Sequence, residues 1–236
     1  MGKYQVIFLD IDNTLLDFSS SEEKSFCLTL DQYNLNEYHH LYPLYKDINE
    51  QLWIEFEKGT LDKDFIVIER FNSLFSLYNL KIDLERFNRD FLLNLAKFPI
   101  LIDNAINLLD KLKGKYYLIA ISNGVSFAFR RRLFKANIIT YFDNIVTSEE
   151  AGFSKPDPKI FEYVLKKSNL LDVNKEKCII LGDSLSSDIK GGINFNIDTC
   201  FYNPSNNINE TLIKPTFVIK DLMEFIDVIE GSNYES

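Results

Sequence analysis

The chain has no apolar run approaching the roughly 18–20 residues a helix needs to cross a bilayer, so neither a membrane span nor a membrane partner is expected. The apolar stretch after Lys3 is short and ends in acids, which is not the pattern of a secretory signal. Met1-Gly2 could open an acylation motif, but Val6 stands where that motif needs Ser or Thr. Cysteine is scarce. Cys27, Cys178 and Cys200 are odd in number, widely spaced and without a CxxC pair, which reads as free thiols in a reducing compartment. A cytoplasmic location is the resulting expectation. Basic charge is also in deficit: 26 Lys and Arg face 35 Asp and Glu, a formal net charge of -9. A nucleic-acid polymer would find no basic footprint, and an anionic ligand must be met by a local cation. No tandem repeat or low-complexity tract is present.

What remains is an ordinary globular composition. Of 236 residues, 46% are hydrophobic and 26% charged, which suits one large domain or a core with a smaller insert. Two textures divide the chain. From Ser20 to Leu95 apolar residues recur at helical spacing, as in Leu41, Leu44, Ile48, Leu52 and again in Phe65, Ile68, Phe71, Phe75. After Asp103 short apolar strands alternate with helices. The pattern predicts strands at Val6–Leu9, Tyr116–Ile121, Ile145–Thr147, Cys178–Leu181, Thr199–Tyr202 and Phe217–Ile219. Between and after them it predicts helices at Asn104–Lys113, Gly124–Ala136, Asp157–Lys167, Leu185–Asn194 and Asp221–Ile229. Such alternation specifies an α/β fold, a Rossmann-like doubly wound parallel sheet. The expected division is a core of residues 1–17 and 96–236, with a helical cap of residues 18–95 inserted after the first strand. Sheets of this kind bind ligands beyond the carboxyl ends of their strands.

Polar residues gather at four of those ends. In FLDIDNTLLDF, Asp10 and Asp12 follow the buried run Val6–Leu9. Acids here could make a simple turn. A calcium loop fails, because Leu15 stands where it needs Gly and Ser21 where it needs Glu. The second end, Ser122-Asn123-Gly124, opens a helix; it is either a Asn-Gly turn or an anion site of hydroxyl, amide and backbone N–H groups. In Ser154-Lys155-Pro156-Asp157-Pro158, Asp157 and Pro158 suffice to start a helix, which leaves Lys155 unexplained unless it is a surface charge. The fourth end is Gly182-Asp183, with Asp188 five residues on. Acids near a helix start can serve its dipole alone. Together, however, these ends hold the residue types needed around one magnesium ion and one phosphate.

Asp10-x-Asp12-x-Thr14, Ser122, Lys155 before Pro156, and Gly182-Asp183 with Asp188 resemble the ordered motifs of the haloacid dehalogenase-like superfamily, across nearly the whole chain. Leu52–Gly59, Tyr141–Asp143 with Ser148–Glu150, and Gly182–Ser184 with Asp188–Ile193 are most similar to its pyrimidine 5'-nucleotidase group. The resemblance implies a Mg²⁺-dependent phosphomonoester hydrolase working through an aspartyl-phosphate. Asp10 would be the nucleophile and Asp12 the general acid and base. Asp10, Asp183 and the main-chain oxygen of Asp12 would hold Mg²⁺. Lys155, Ser122, Asn123 and Gly124 would hold the phosphoryl oxygens, and Asp188 would orient Lys155 or metal-bound water from behind. A dehalogenase has no leaving oxygen to protonate, so Asp12 argues for phosphoryl chemistry.

The expected partner is a small phosphate monoester, a pyrimidine nucleoside monophosphate first, in a monomer or homodimer. The alternatives are small sugar or glycolate phosphates, or a phosphomutase on the same fold. A non-catalytic binding protein is disfavoured by the intact acids and Lys155. In the cap, Phe18, Trp53 and Phe56 are candidates to meet a base or sugar, against the ordinary reading of helix core. His39 and His40 read as solvated. Arg130-Arg131-Arg132 reads as a solvated face or intramolecular ion-pair partners.

Overall fold

In the computed structural model, which describes residues 2–206 and 212–231, the chain forms two compact units: Met1–Asp17 with Ile100–Ser236, and Phe18–Pro99. The first unit opens with β1 (Val6–Leu9). The inserted unit follows as α1 (Phe18–Gln32), α2 (Tyr42–Glu57), α3 (Lys63–Leu77) and α4 (Leu84–Leu95). The chain then returns to the first unit with α5 (Ala105–Leu112), β2 (Tyr117–Ser122), α6 (Ser126–Lys135), β3 (Asn144–Thr147) and α7 (Ser148–Ala151). It closes with α8 (Lys159–Lys167), β4 (Cys178–Gly182), α9 (Lys190–Phe195), β5 (Asp198–Tyr202), β6 (Phe217–Ile219) and α10 (Glu224–Glu230). No helix among the described residues is long and apolar enough to cross a membrane.

The sheet is parallel, in the order β3-β2-β1-β4-β5-β6. β1 is central, with Leu9 level with Ala120 on one side and Leu181 on the other. Alternate side chains leave opposite faces of a strand, and β1 shows the consequence. Ile7 and Leu9 join one core with Leu108, Phe129, Leu133 and Phe225, while Val6 and Phe8 join the other with Ile160, Phe161 and Phe195. Strands buried on both faces must be apolar throughout, which is why VIFL and CIIL read as continuous runs.

Several boundaries depart from the sequence expectation for local reasons. α6 starts at Ser126 rather than Gly124, because the Gly124 N–H donates to Ser122 Oγ (2.9 Å) and the Ser126 N–H to the Glu149 carboxylate (3.2 Å). The expected helix Leu185–Asn194 is two pieces. Leu185–Ile189 is a π-helical turn, with the Ile189 N–H reaching the Ser184 carbonyl at 3.1 Å, and α9 follows it. α10 begins three residues late, since Asp221 makes a turn in which its Oδ1 accepts the Met223 N–H at 2.7 Å. α8 begins at Lys159 with Pro158 at the cap position, one residue later than expected; Asp157, just before it, accepts the Lys159 N–H at 2.9 Å.

The inserted unit is a set of packed helices, α1 against α4 and α2 against α3. It runs to Pro99 rather than the expected 95, because backbone turns continue through Phe98 and Ser21 Oγ donates to the Phe98 carbonyl at 2.6 Å. Its core is aromatic: Tyr45 stacks on Phe71 (5.3 Å between centroids), and Phe71 meets Phe91 edge-on at 5.2 Å. Inside that core lies a polar chain. Glu22 accepts from Tyr45 Oη (3.2 Å) and Asn49 Nδ2 (3.0 Å), and Arg70 donates to Asn49 and Asn88 while lying over the Phe71 and Phe91 rings.

Candidate active site

The sheet extends one residue beyond β1, where the Asp10 N–H donates to the Leu181 carbonyl at 2.9 Å. There the chain turns sharply. The Ile11 carbonyl accepts the N–H groups of Thr14, Leu15 and Leu16, and the Asn13 N–H donates to Leu16 O at 2.7 Å. Asn13 takes a positive φ of 60°, a conformation asparagine tolerates. This turn aims the Thr14 hydroxyl back at two acids, 3.2 Å from both Asp10 Oδ2 and Asp183 Oδ1. Thr14, in the sequence only the last residue of the Asp10-x-Asp12-x-Thr14 motif, thus touches both acids.

Lys155 is not a surface charge; it is 1% exposed. Its Nζ donates to Asp10 Oδ1 (2.6 Å), Asp188 Oδ1 (2.7 Å) and the Ile121 carbonyl (3.0 Å). The Asn123 side chain fixes the lysine's backbone from both sides, donating to Lys155 O (2.8 Å) and accepting from its N–H (2.9 Å). The sequence expectation sets Asn123 among the phosphate-binding groups and gives its side chain no contact with Lys155. Since the three ammonium hydrogens already have acceptors, a phosphoryl oxygen would have to replace one of them.

Asp183 follows β4, and the π-helical turn carries Asp188 back toward it, with Asp188 Oδ2 accepting the Ser184 N–H at 3.1 Å. Carboxylate oxygens of Asp10, Asp183 and Asp188 lie within 4.8 Å of one another. Burial and then the Asp188 charge raise the Asp10 carboxyl well above its ordinary range, against the pull of Lys155. The same two causes push Asp183 up to about 7. Burial alone would lower Lys155, but the charges of Asp10 and Asp188 outweigh it and hold the ammonium protonated. Three crowded acids against one ammonium leave an excess of negative charge, and the donors are hard oxygens. That set fits a hard divalent cation. Asp188, expected only behind the metal ligands, has its carboxylate in this cluster as well as on Lys155.

Asp12 points elsewhere. Its Oδ1 accepts a hydrogen bond from Nη1 of Arg132, a residue of α6 that is 1% exposed. A β-carbon on Gly124 would stand 3.1 Å from Ser122 Oγ and 3.4 Å from Asp12 Oδ2, so the second Asp12 oxygen faces the Ser122–Gly124 turn. The run Arg130-Arg131-Arg132 reads as a solvated face or as intramolecular ion-pair partners; Arg132 is the second, but nothing in the sequence names Asp12 as its partner or Arg132 as a site residue. In the inserted unit, Phe18 opens α1, while Trp53 and Phe56 of α2 meet edge-to-face at 5.4 Å, all of them half-buried.

Comparison with known proteins gives a consistent picture. The family model for haloacid dehalogenase-like hydrolases matches residues 4–196. The HAD-hydrolase YfnB of Bacillus subtilis is 33% identical over 233 residues, 99% of this chain and 98% of that protein. Its magnesium-bound crystal structure superposes with a TM-score of 0.89 at 32% identity, covering 96% of this chain and 99% of the other. The pyrimidine 5'-nucleotidase PynA of Streptococcus pneumoniae is 30% identical over 98% of both chains. YjjG of Escherichia coli, also a pyrimidine 5'-nucleotidase, is 30% identical over 94% of this chain and 96% of its own.

Proposed function

The chain belongs to the haloacid dehalogenase-like hydrolases, and we propose that within them it is a Mg²⁺-dependent phosphatase of nucleoside monophosphates, pyrimidine nucleotides first. The observation that carries the chemistry is the pair Asp10 and Asp12. One is buried among Asp183, Asp188 and Lys155; the other is turned out of that cluster toward the Ser122–Gly124 turn. The choice of nucleotides rests on the names of PynA and YjjG, which match along nearly the whole chain.

Asp10, Asp183 and the main-chain oxygen of Asp12 would hold Mg²⁺, with Asp188 beside them. The ion, when bound, supplies the positive charge that lets a carboxylate approach an anionic phosphate. An Asp10 carboxylate oxygen attacks phosphorus and forms the acyl-phosphate bond as the ester P–O bond breaks. The Asp12 carboxyl gives its proton to the leaving oxygen. As a carboxylate, Asp12 then takes a proton from the water that attacks the aspartyl-phosphate, releasing inorganic phosphate and regenerating Asp10. Two easier transfers replace one difficult hydrolysis. Lys155 and Ser122, with the Asn123–Gly124 backbone, hold the equatorial phosphoryl oxygens, where most catalysis of phosphoryl transfer resides. Phe18, Trp53 and Phe56 are the candidates for base recognition.

The test is phosphate release from a panel of nucleoside monophosphates and small sugar phosphates, with Mg²⁺ and with chelator. Release confined to nucleotides and lost with chelator supports the reading. Release from sugar phosphates alone keeps the roles of Asp10 and Asp12 and removes the nucleotidase assignment.

A further inference from the structure

The run Arg130-Arg131-Arg132 resolves into three unlike environments. Arg130 pairs with Glu150 on the surface, and Arg131 lies over the Phe127 ring at 4.2 Å. Arg132 turns inward, among the largest fully buried side chains of the protein, where its α6 neighbours Phe129 and Leu133 belong to the apolar core. Burying a guanidinium is costly unless it is paired and hydrogen-bonded. Apolar side chains occupy the rest of this face of α6, so an arginine here requires a reason that packing alone does not supply.

Its contact supplies one. Arg132 Nη1 meets Asp12 Oδ1, and the other Asp12 oxygen is left facing the Ser122–Gly124 turn. The backbone around Asp12 is already set by the hydrogen bonds of residues 13–16 to Ile11 and Leu16. What stays adjustable in an aspartate on a fixed backbone is its side-chain rotation. An arginine rooted in the core and holding one oxygen removes that freedom.

We infer that Arg132 is a positioning residue for Asp12, gripping one carboxylate oxygen so that the other is presented to the leaving oxygen and then to water. This rests on the reading that Asp12 moves the proton. Proton transfer requires hydrogen-bond reach in both half-reactions, so the same oxygen has to be well placed twice. Arg132 needs no contact with substrate to do this.

The test is a double-substitution cycle with Asp12→Asn, Arg132→Met, both together, and Arg132→Lys, each checked for folding by circular dichroism and melting. Steady-state constants are measured on a nucleoside monophosphate and on 4-nitrophenyl phosphate. Arg132→Met is expected to lower kcat on the nucleotide about tenfold or more with KM moving less than about threefold, short of the roughly 10²–10⁴-fold that a general acid–base group itself supplies. On the Asp12→Asn background the same change is expected to cost less than about twofold, because residues acting as one unit are not additive. Arg132→Lys should recover part of the loss. With 4-nitrophenyl phosphate, whose leaving group needs little protonation, Arg132→Met should show a burst of nitrophenolate as hydrolysis of the aspartyl-phosphate becomes limiting. An Arg132→Met loss of equal size with and without the Asp12 carboxyl overturns the proposal and makes Arg132 a structural support only. If the Met variant fails to fold, Arg132→Lys carries the same cycle, and full additivity there overturns the proposal equally. An Asp12→Asn enzyme with undiminished kcat instead overturns the proton-transfer reading itself, whatever Arg132 does.

Discussion

Asp188 lies against the bare Cα of Gly182: a β-carbon there would stand 2.4 Å from both the Asp188 carboxyl carbon and its Oδ2. Asp188 cannot yield cheaply, since its two oxygens hold Lys155 Nζ and the Ser184 N–H. Gly182→Ala should therefore displace the carboxylate and with it the lysine. A shift of roughly 1 Å at a catalytic group costs on the order of 10²-fold in rate, so a loss of that size in kcat is expected, with a lower melting temperature. A well-folded Gly182→Ala enzyme of wild-type kcat would contradict the coupling.

Lys155 carries a second expectation. It is the ammonium against which Asp10 and Asp188 are buried. Removing one partner of a buried pair typically destabilises by about 3–5 kcal/mol, because the remaining charge is uncompensated. Lys155→Met should thus melt well below wild type in chelator, and the gap should narrow in saturating Mg²⁺, which supplies positive charge to the same acids. Equal gaps in the two conditions would show that lysine and cation do not serve a common cluster.

The cation itself is testable without turnover. If Asp10, Asp183 and Asp188 gather around Mg²⁺, the ion binds the folded chain alone and stabilises it by about 2.7 kcal/mol at a hundred times its Kd, several degrees in melting temperature. Asp183→Asn should abolish most of that shift. A Mg²⁺-induced shift that survives in Asp183→Asn would place the ion elsewhere.

The sequence carried the fold class because buried parallel strands are unmistakable: Val6–Leu9 and Phe217–Ile219 have the bounds their apolar runs imply. Polar residues at strand ends are conspicuous for the same reason, set against so much apolar sequence. Less was legible where a side chain's direction decides. Three adjacent arginines on a helix are separated by about 100° each, and spacing alone does not say which of them enters the core. The approach of Asp188 to Asp10 depends on the wider π-helical turn at Leu185–Ile189, a backbone choice with no compositional signature. The clamp of Asn123 on Lys155 spans 32 positions and is visible only in three dimensions.

The helical unit contains a pH-dependent element of its own. Burial, opposed by the Arg70 charge, pushes the Glu22 carboxyl from 4.5 up to about 7. Below about 4.5 both folded and unfolded chains hold this proton, so its contribution to stability is complete. Between 4.5 and 7 the folded chain keeps a proton that the unfolded chain has released, and each pH unit upward lowers stability by about 1.4 kcal/mol. Above 7 both are ionised and the loss levels off. Glu22→Gln retains an oxygen for Tyr45 and Asn49 but has nothing to titrate. The melting temperature of wild type relative to Glu22→Gln should therefore be highest at about pH 4.5, fall as pH rises to about 7, and change little beyond that. Other acids with raised values, Asp10 and Asp183 among them, titrate in both proteins and cancel in the difference. Parallel pH profiles for the two proteins would mean that Glu22 is ionised in the fold at every pH tested.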